Sequence, residues 1–136
     1  MSDTYYVKTF GGLEITNDNV TVNIVELFGK QLVNLLQVLL FHSEKPVQKD
    51  ELIDILWPES KNPSSALKFS IFRLRSELNE IEFFKDKEVI VTTRKGYILN
   101  PNLDWNIDFV ELEKAYNQIN DGSELLDEKE FKTAKK

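Results

Sequence analysis

The sequence of 136 residues predicts an α+β fold: an N-terminal antiparallel sheet, three helices, a C-terminal β-hairpin and a short C-terminal helical appendage. Three observations predict it. Up to Ile24, apolar residues alternate with polar ones, broken by Gly11-Gly12 and by Asn17-Asp18-Asn19. From Leu27 to Ile81, apolar residues recur every three or four positions in three runs, parted by Ser43 to Pro46 and by Pro58 to Asn62. From Val89 to Leu99, two β-prone runs flank Thr93-Arg94-Lys95-Gly96. Helix, turn, helix and then a basic hairpin is the order of a winged helix-turn-helix.

The first strand is expected over Tyr5 to Phe10, ended by the two glycines. Leu13 and Ile15, then Val20, Val22 and Ile24, continue the alternation, so one face of this meander is buried and the other wet. A first helix is expected from about Leu27 to His42, with Leu32, Leu35, Leu36, Leu39 and Leu40 as a single apolar stripe. A second runs from about Lys49 to Trp57. Leu52, Ile53, Leu56 and Trp57 share its face, and Asp50 and Glu51 suit its positive N-terminal end.

Asn62 and Pro63 then open a third helix. Asn is a favoured N-cap, and Pro at the first helical position loses an N–H that has no partner there anyway. Leu67, Ile71, Leu74 and Leu78 form its core stripe, extended by Ile81. Gly96 supplies a tight or positive-φ position in the hairpin turn. A last helix starts at Asp108 with Glu111 as capping-box partner, lined by Phe109, Leu112, Tyr116 and Ile119 and ended by Gly122. The tail from Glu124 to Lys136 offers Leu125, Leu126 and Phe131 for burial.

With 41% hydrophobic residues the chain can build a core. It has no cysteine, which excludes disulfides, thiolate metal sites and a cysteine nucleophile. No apolar run is long enough to span a membrane, and MSDTYYVKTF does not read as a signal peptide. A cytoplasmic location is therefore expected. The net charge of −6 argues against indiscriminate binding to polyanions. Its distribution says more: residues 61–96 hold eight Lys or Arg against five acids, whereas the segments on either side are acidic. The one net-positive block coincides with the third helix and the hairpin.

Chemistry of other kinds has little to stand on. His42 is the sole histidine and ends a leucine-rich helix, where a C-cap role suits it. GxGxxG, P-loop and HExxH patterns are absent. The acid pairs Asp50-Glu51 and Asp127-Glu128 fall on a helix start and in the tail. No catalytic residue, metal site or cofactor is expected.

Placing the Leu67–Leu78 stripe inward, at about 100° per residue, puts Ser65, Phe69, Phe72 and Ser76 on the outward side. Lys68 and Asn79 lie on one flank and Arg73 on the other. Arg75 sits near the core boundary, its stem on apolar surface and its head directed outward. A helix in the major groove uses this outward face. Read alone, Lys68 and Arg73 are also ordinary solvated charges. The two phenylalanines sharpen the choice: either the helix is rotated and one ring belongs to the core, or that face binds something. In the hairpin, Arg94 and Lys95 form a compact basic tip beside Thr92 and Thr93, suited to the minor groove or to phosphates. The competing reading is a winged helix repurposed to bind protein, favoured by the acidic balance and the two rings.

The segments FGGLEIT (10–16), PVQKDELIDILWPE (46–59), SALKFSIFRLRSEL (65–78) and VTTRKGYIL (91–99) together resemble the winged-helix DNA-binding domain of OmpR/PhoB-type regulators. The closer likeness is to the antibiotic-regulatory (SARP-type) branch, in which a bacterial transcriptional activator domain (BTAD) follows. Residues 104–121 resemble the start of that helical, tetratricopeptide-like domain. The resemblance implies a DNA-binding domain over 1–103 and a truncated second domain over 104–136. It also implies a recognition helix at 63–80, a wing around Arg94, a 58–62 loop facing RNA polymerase, and pairing of two copies on direct repeats of double-stranded DNA. Carried over by position, Ser65, Lys68, Phe72, Arg73, Arg75, Thr93 and Arg94 take DNA-contacting places. Two residues depart from the pattern. Phe72 stands where relatives carry a polar or basic residue, and Glu77 where a second basic residue often follows RLR.

Overall fold

The alternation at the N-terminus becomes three strands: β1 (Thr4–Lys8), β2 (Glu14–Asn17) and β3 (Val20–Asn23). The computed structural model describes residues 4–9 and 12–121. β1 pairs antiparallel with β2, and β2 with β3, with the left-handed Asp18 at the β2–β3 turn. Tyr5, Val7, Leu13 and Ile15 are buried, as the two-residue period requires. Phe10, Gly11 and the tail from Gly122 onward lie outside the described residues, as does the Glu111 side chain expected in the capping box.

The helix expected over 27–42 begins three residues later, and an unexpected short helix precedes it, taking Ile24 out of the strand alternation. A one-turn α1 (Ile24–Leu27) is capped by the Asn23 side chain, which accepts the Glu26 N–H. The chain turns extended at Phe28 and Gly29, and α2 (Lys30–Phe41) follows. The one-stripe expectation for α2 also falls short. Val33, Gln37 and Val38 are buried as well as the leucines, because α3, α4, β5 and α5 surround this helix. His42 ends it as its C-cap, its N–H bonded to the Val38 carbonyl.

Helix α3 (Lys49–Leu56) and helix α4 (Pro63–Asn79) follow the predicted spans closely. Asn62 occupies the N-cap position of α4 but makes no side-chain cap. Its own N–H is bonded to Ser60 Oγ, and Pro63 opens the helix. Leu67, Ile71, Leu74 and Leu78 are buried, joined by Ser70. Ile81 is buried just past the helix end rather than within it, leading to a 3-10 turn at Glu82–Phe84. The hairpin is β4 (Ile90–Thr93) and β5 (Gly96–Leu99).

A sixth strand has no counterpart in the sequence expectation. β6 (Asp104–Ile107) adds parallel to β1, so the sheet is mixed rather than purely antiparallel, in the order β3-β2-β1-β6. Tyr5 pairs with Trp105, and the rings of Tyr5, Phe83, Phe84 and Trp105 cluster between the sheet and the 3-10 turn. Helix α5 (Phe109–Asp121) then packs along α2, with Leu112 fully buried in the shared core. β6 and α5 close the same core as the strands and helices before them, because Trp105, Ile107 and Leu112 have their apolar partners there. Phe109, expected on the buried face of α5, is exposed.

Candidate nucleic-acid interface

The stripe that buries Leu67, Ile71, Leu74 and Leu78 dictates what α4 presents outward. Ser65, Lys68, Phe69, Phe72, Arg73 and Ser76 are all exposed. The rotated-helix alternative is removed, since Phe69 is 63% and Phe72 69% exposed. Neither ring belongs to the core. Arg73 does not reach freely outward: its guanidinium lies 3.7 Å from Glu77 and over the Phe69 ring, 6.0 Å from the centroid. An i,i+4 pair of this kind is screened and weak, so the arginine can be recruited elsewhere at small cost.

Arg75 corrects a sequence expectation. Its head was expected to point outward for contact; instead Nε donates to the Ile90 carbonyl at 3.2 Å and the guanidinium NH₂ to Thr92 Oγ1 at 2.5 Å. It fastens α4 to the first strand of the hairpin. Asn79, placed on the flank by the helical wheel, also works internally, its Oδ1 accepting the Asp86 N–H at 2.9 Å across the turn that follows α4.

The hairpin tip is built by its own backbone. Thr93 Oγ1 accepts from the N–H groups of Lys95 and Gly96, both at 3.1 Å, and donates to the Gly96 carbonyl at 3.0 Å. Thr93 is thus a turn-maker, and the charges of Arg94 and Lys95 stand exposed on the tip it shapes. Gly96 has φ +140°, and a Cβ there would overlap the Val47 carbonyl oxygen. That close approach exists because Val47 and Tyr97 exchange two backbone hydrogen bonds, at 2.8 and 3.0 Å. The α2–α3 loop is thereby bridged to β5 at one residue pair. The hairpin is held on both strands, by Val47 on β5 and by Arg75 on β4.

Between α4 and the approach to β4 runs an open groove of about 380 Å³, lined by Phe72, Arg75, Ser76, Asn79, Lys87 and Glu88 among others. Lys87 and Val47 were not singled out from the sequence, and Thr92 was named beside the hairpin tip but not as the partner of Arg75. Thr92 sits in the quoted TTRKG run. Val47 after Pro46 is β-prone, but its partner strand lies 50 residues away and leaves no local mark. The 58–62 loop is exposed throughout. Among the described residues no group of acids and histidine is arranged to hold a metal ion. None of their helices is long and apolar enough to cross a membrane.

Comparisons with known proteins fall on this fold. Among solved structures, the chain is similar to the DNA-binding domain of E. coli CadC, with 27% identity and a TM-score of 0.50, over 64% of this chain and 78% of that one. It shares its fold with Mycobacterium tuberculosis EmbR, solved in complex with a low-affinity phosphopeptide, at 23% identity and a TM-score of 0.52. That likeness covers 71% of this chain but 24% of EmbR, so the chain spans about a quarter of that protein's length. Comparison with curated proteins gives no match. The family model described as "Transcriptional regulatory protein, C terminal" matches residues 20–99, from β3 through the hairpin. That is more than half of the chain, and it takes in α4 and both strands of the wing. The chain therefore belongs to this family of OmpR/PhoB-type winged-helix domains, the DNA-binding domains of transcription regulators.

Proposed function

We propose that this chain binds double-stranded DNA sequence-specifically for a transcription activator, with α4 in the major groove and the hairpin tip on the minor groove or the backbone. One observation carries the reading. α4 exposes Ser65, Lys68, Phe69, Phe72 and Ser76 on a single face, while Arg75 on its inner flank locks the hairpin bearing Arg94 and Lys95 beside it. In this reading Lys68, Arg94 and Lys95 meet phosphates, the serines donate to phosphates or base edges, and Arg73 leaves Glu77 to reach a base. The exposed 58–62 loop contacts RNA polymerase, and two copies sit on direct repeats. The activator role rests on the resemblance to antibiotic-regulatory proteins, and a DNA-bound regulator of this kind works in the cytoplasm.

Selection of binding sites from random duplex DNA at two salt concentrations tests it. Enrichment of a defined sequence is expected, with a modest salt slope of about −2 to −4 for few phosphate contacts. Arg94→Ala should weaken binding to all sequences alike, and Arg73→Ala should relax the selected sequence. Absence of both enrichment and salt dependence would sink the proposal. A second reading, a protein-interaction module, draws on the exposure of Phe69 and Phe72. Capture of a stoichiometric protein partner, lost in Phe72→Ser, together with failure to select DNA, would favour it.

A further inference from the structure

Phe69 and Phe72 are the two most exposed large apolar side chains among the described residues, and they lie three positions apart on the outward face of α4. Single exposed apolar residues are ordinary, but two phenyl rings on one face, among serines, Lys68 and Arg73, form a patch. Polar groups able to read bases are scarce around them. Arg73 lies over Phe69 and against Glu77. The Asn79 carbonyl oxygen is occupied by the Asp86 N–H, and Arg75 is bonded to the hairpin. Ser65 and Ser76 are short, and Lys68 is a flexible point charge. Apart from Arg73, no bidentate fork or amide of the kind that distinguishes guanine or adenine is free on this face.

On the basis of the DNA-binding reading above, we infer that Phe69 and Phe72 form a methyl reader, selecting sites with two thymines on the floor of the major groove. A phenyl ring neither donates nor accepts a conventional hydrogen bond, so it is indifferent to the N7, O6, O4 and amino positions that define the other base edges. The C5-methyl of thymine is the apolar group exposed in that groove. Three residues of α-helix advance about 4.5 Å along the axis, against about 3.4 Å between successive base pairs. The two methyls thus lie within one or two base-pair steps of each other, on the same strand or on opposite strands. Each ring leaves water only when its methyl is present, so the recognition is apolar contact and not charge. It therefore persists as salt rises, while the phosphate contribution fades.

Replacing thymine by deoxyuridine removes the methyl and leaves every hydrogen-bonding group in place. The test uses the full chain and a site chosen by selection, with each thymine exchanged singly for deoxyuridine and the dissociation constant measured. Two positions, at most about two steps apart, should each lose about fourfold in affinity, and about fifteenfold together, for one buried methyl apiece. In Phe69→Ala and in Phe72→Ala, the sensitivity to one of those two exchanges should disappear while the other remains. Equal affinity for every deoxyuridine-substituted site would overturn the inference and leave DNA binding standing. Methyl sensitivity that survives in both alanine variants would overturn it too, by assigning the methyls to other residues. Failure to bind any duplex would overturn the DNA-binding reading itself, and this inference with it.

Discussion

Arg75 on α4 and Thr92 on β4 are joined by a hydrogen bond of 2.5 Å from the guanidinium NH₂ to Oγ1, reinforced by the bond from Nε to the Ile90 carbonyl. The two donors of one planar group fix the angle between α4 and the hairpin. Lysine has no such fork. Arg75→Lys should therefore lower stability to urea by about 1–2 kcal/mol, the range for charge-assisted bonds that are only partly buried. DNA affinity should fall with it, even at low salt where a lysine satisfies phosphates equally well. An Arg75→Lys protein as stable as the parent would show that the seam is held by packing alone.

Gly96 governs the other strand of the hairpin, next to its turn. Its φ of +140° is one that other residues adopt only with strain, and a Cβ there meets backbone rather than a movable side chain. Gly96→Ala must push Val47 away and break the paired Val47–Tyr97 hydrogen bonds. The expected loss is about 3 kcal/mol or more, measured by urea unfolding. A loss below about 1 kcal/mol would mean that the α2–α3 loop yields easily.

What was legible in the chain follows from which signals are local. The Leu67–Leu78 stripe showed because helical periodicity repeats over four turns, and it carried the exposure of Phe69 and Phe72 with it. The hairpin showed because Thr93 to Gly96 is a turn with its own chemistry, and the positive φ of Gly96 followed from the residue type. β6 did not show. Four residues with two apolar positions, Trp105 and Ile107, are too few to display a period, and their partner β1 lies 100 residues earlier in the chain. The one-turn α1 did not show either, because four residues display no helical period and the alternation ending at Ile24 reads as strand. Arg75 was placed at the right boundary of the helix, but the direction of its head depends on where β4 docks, which no helical wheel contains.

Glu77 restrains the charge of Arg73 on the exposed face of α4. It sits 3.7 Å from Arg73, one turn along the helix, and adds a negative charge beside a surface that would face phosphates. Glu77→Gln removes that charge and frees the guanidinium. Stability should change by no more than about 0.5 kcal/mol, since exposed i,i+4 pairs contribute little. DNA affinity at low salt should rise about three- to tenfold, with a salt slope steeper by about one. Unchanged affinity and slope would show that Arg73 already exchanges freely between Glu77 and DNA.

Leu112 is fully buried against the core shared with α2, although it belongs to a segment that resembles the start of another domain. If α5 is integral to the fold, Leu112→Ala should destabilise the whole chain by about 2–4 kcal/mol in one cooperative transition. An independent appendage predicts a different record: a transition of the winged helix unmoved, with only helical signal from α5 lost. Circular dichroism and intrinsic tryptophan fluorescence, followed together during urea unfolding, separate the two outcomes.

Tyr116 holds α5 to the end of α2 through polar and aromatic contacts. Its ring stacks on Phe41 at 4.3 Å between centroids, and its hydroxyl is 3.3 Å from His42 Nε2. Burial, and next the negative charge of Glu51, push the phenol above its usual value of 10.0. The folded state therefore holds this proton more tightly than the unfolded state does. The associated stability is fully present below the unfolded value and is lost as pH rises through the folded one, so it bears on alkaline conditions and not on neutrality. In unfolding measurements above pH 10 the parent should lose stability more steeply than Tyr116→Phe, which has no proton to give up at that site. At neutral pH the order reverses, because the variant lacks the bond to His42, worth about 0.5–1 kcal/mol. Parallel pH profiles for the two proteins would show that the Tyr116 hydroxyl is solvated in both states.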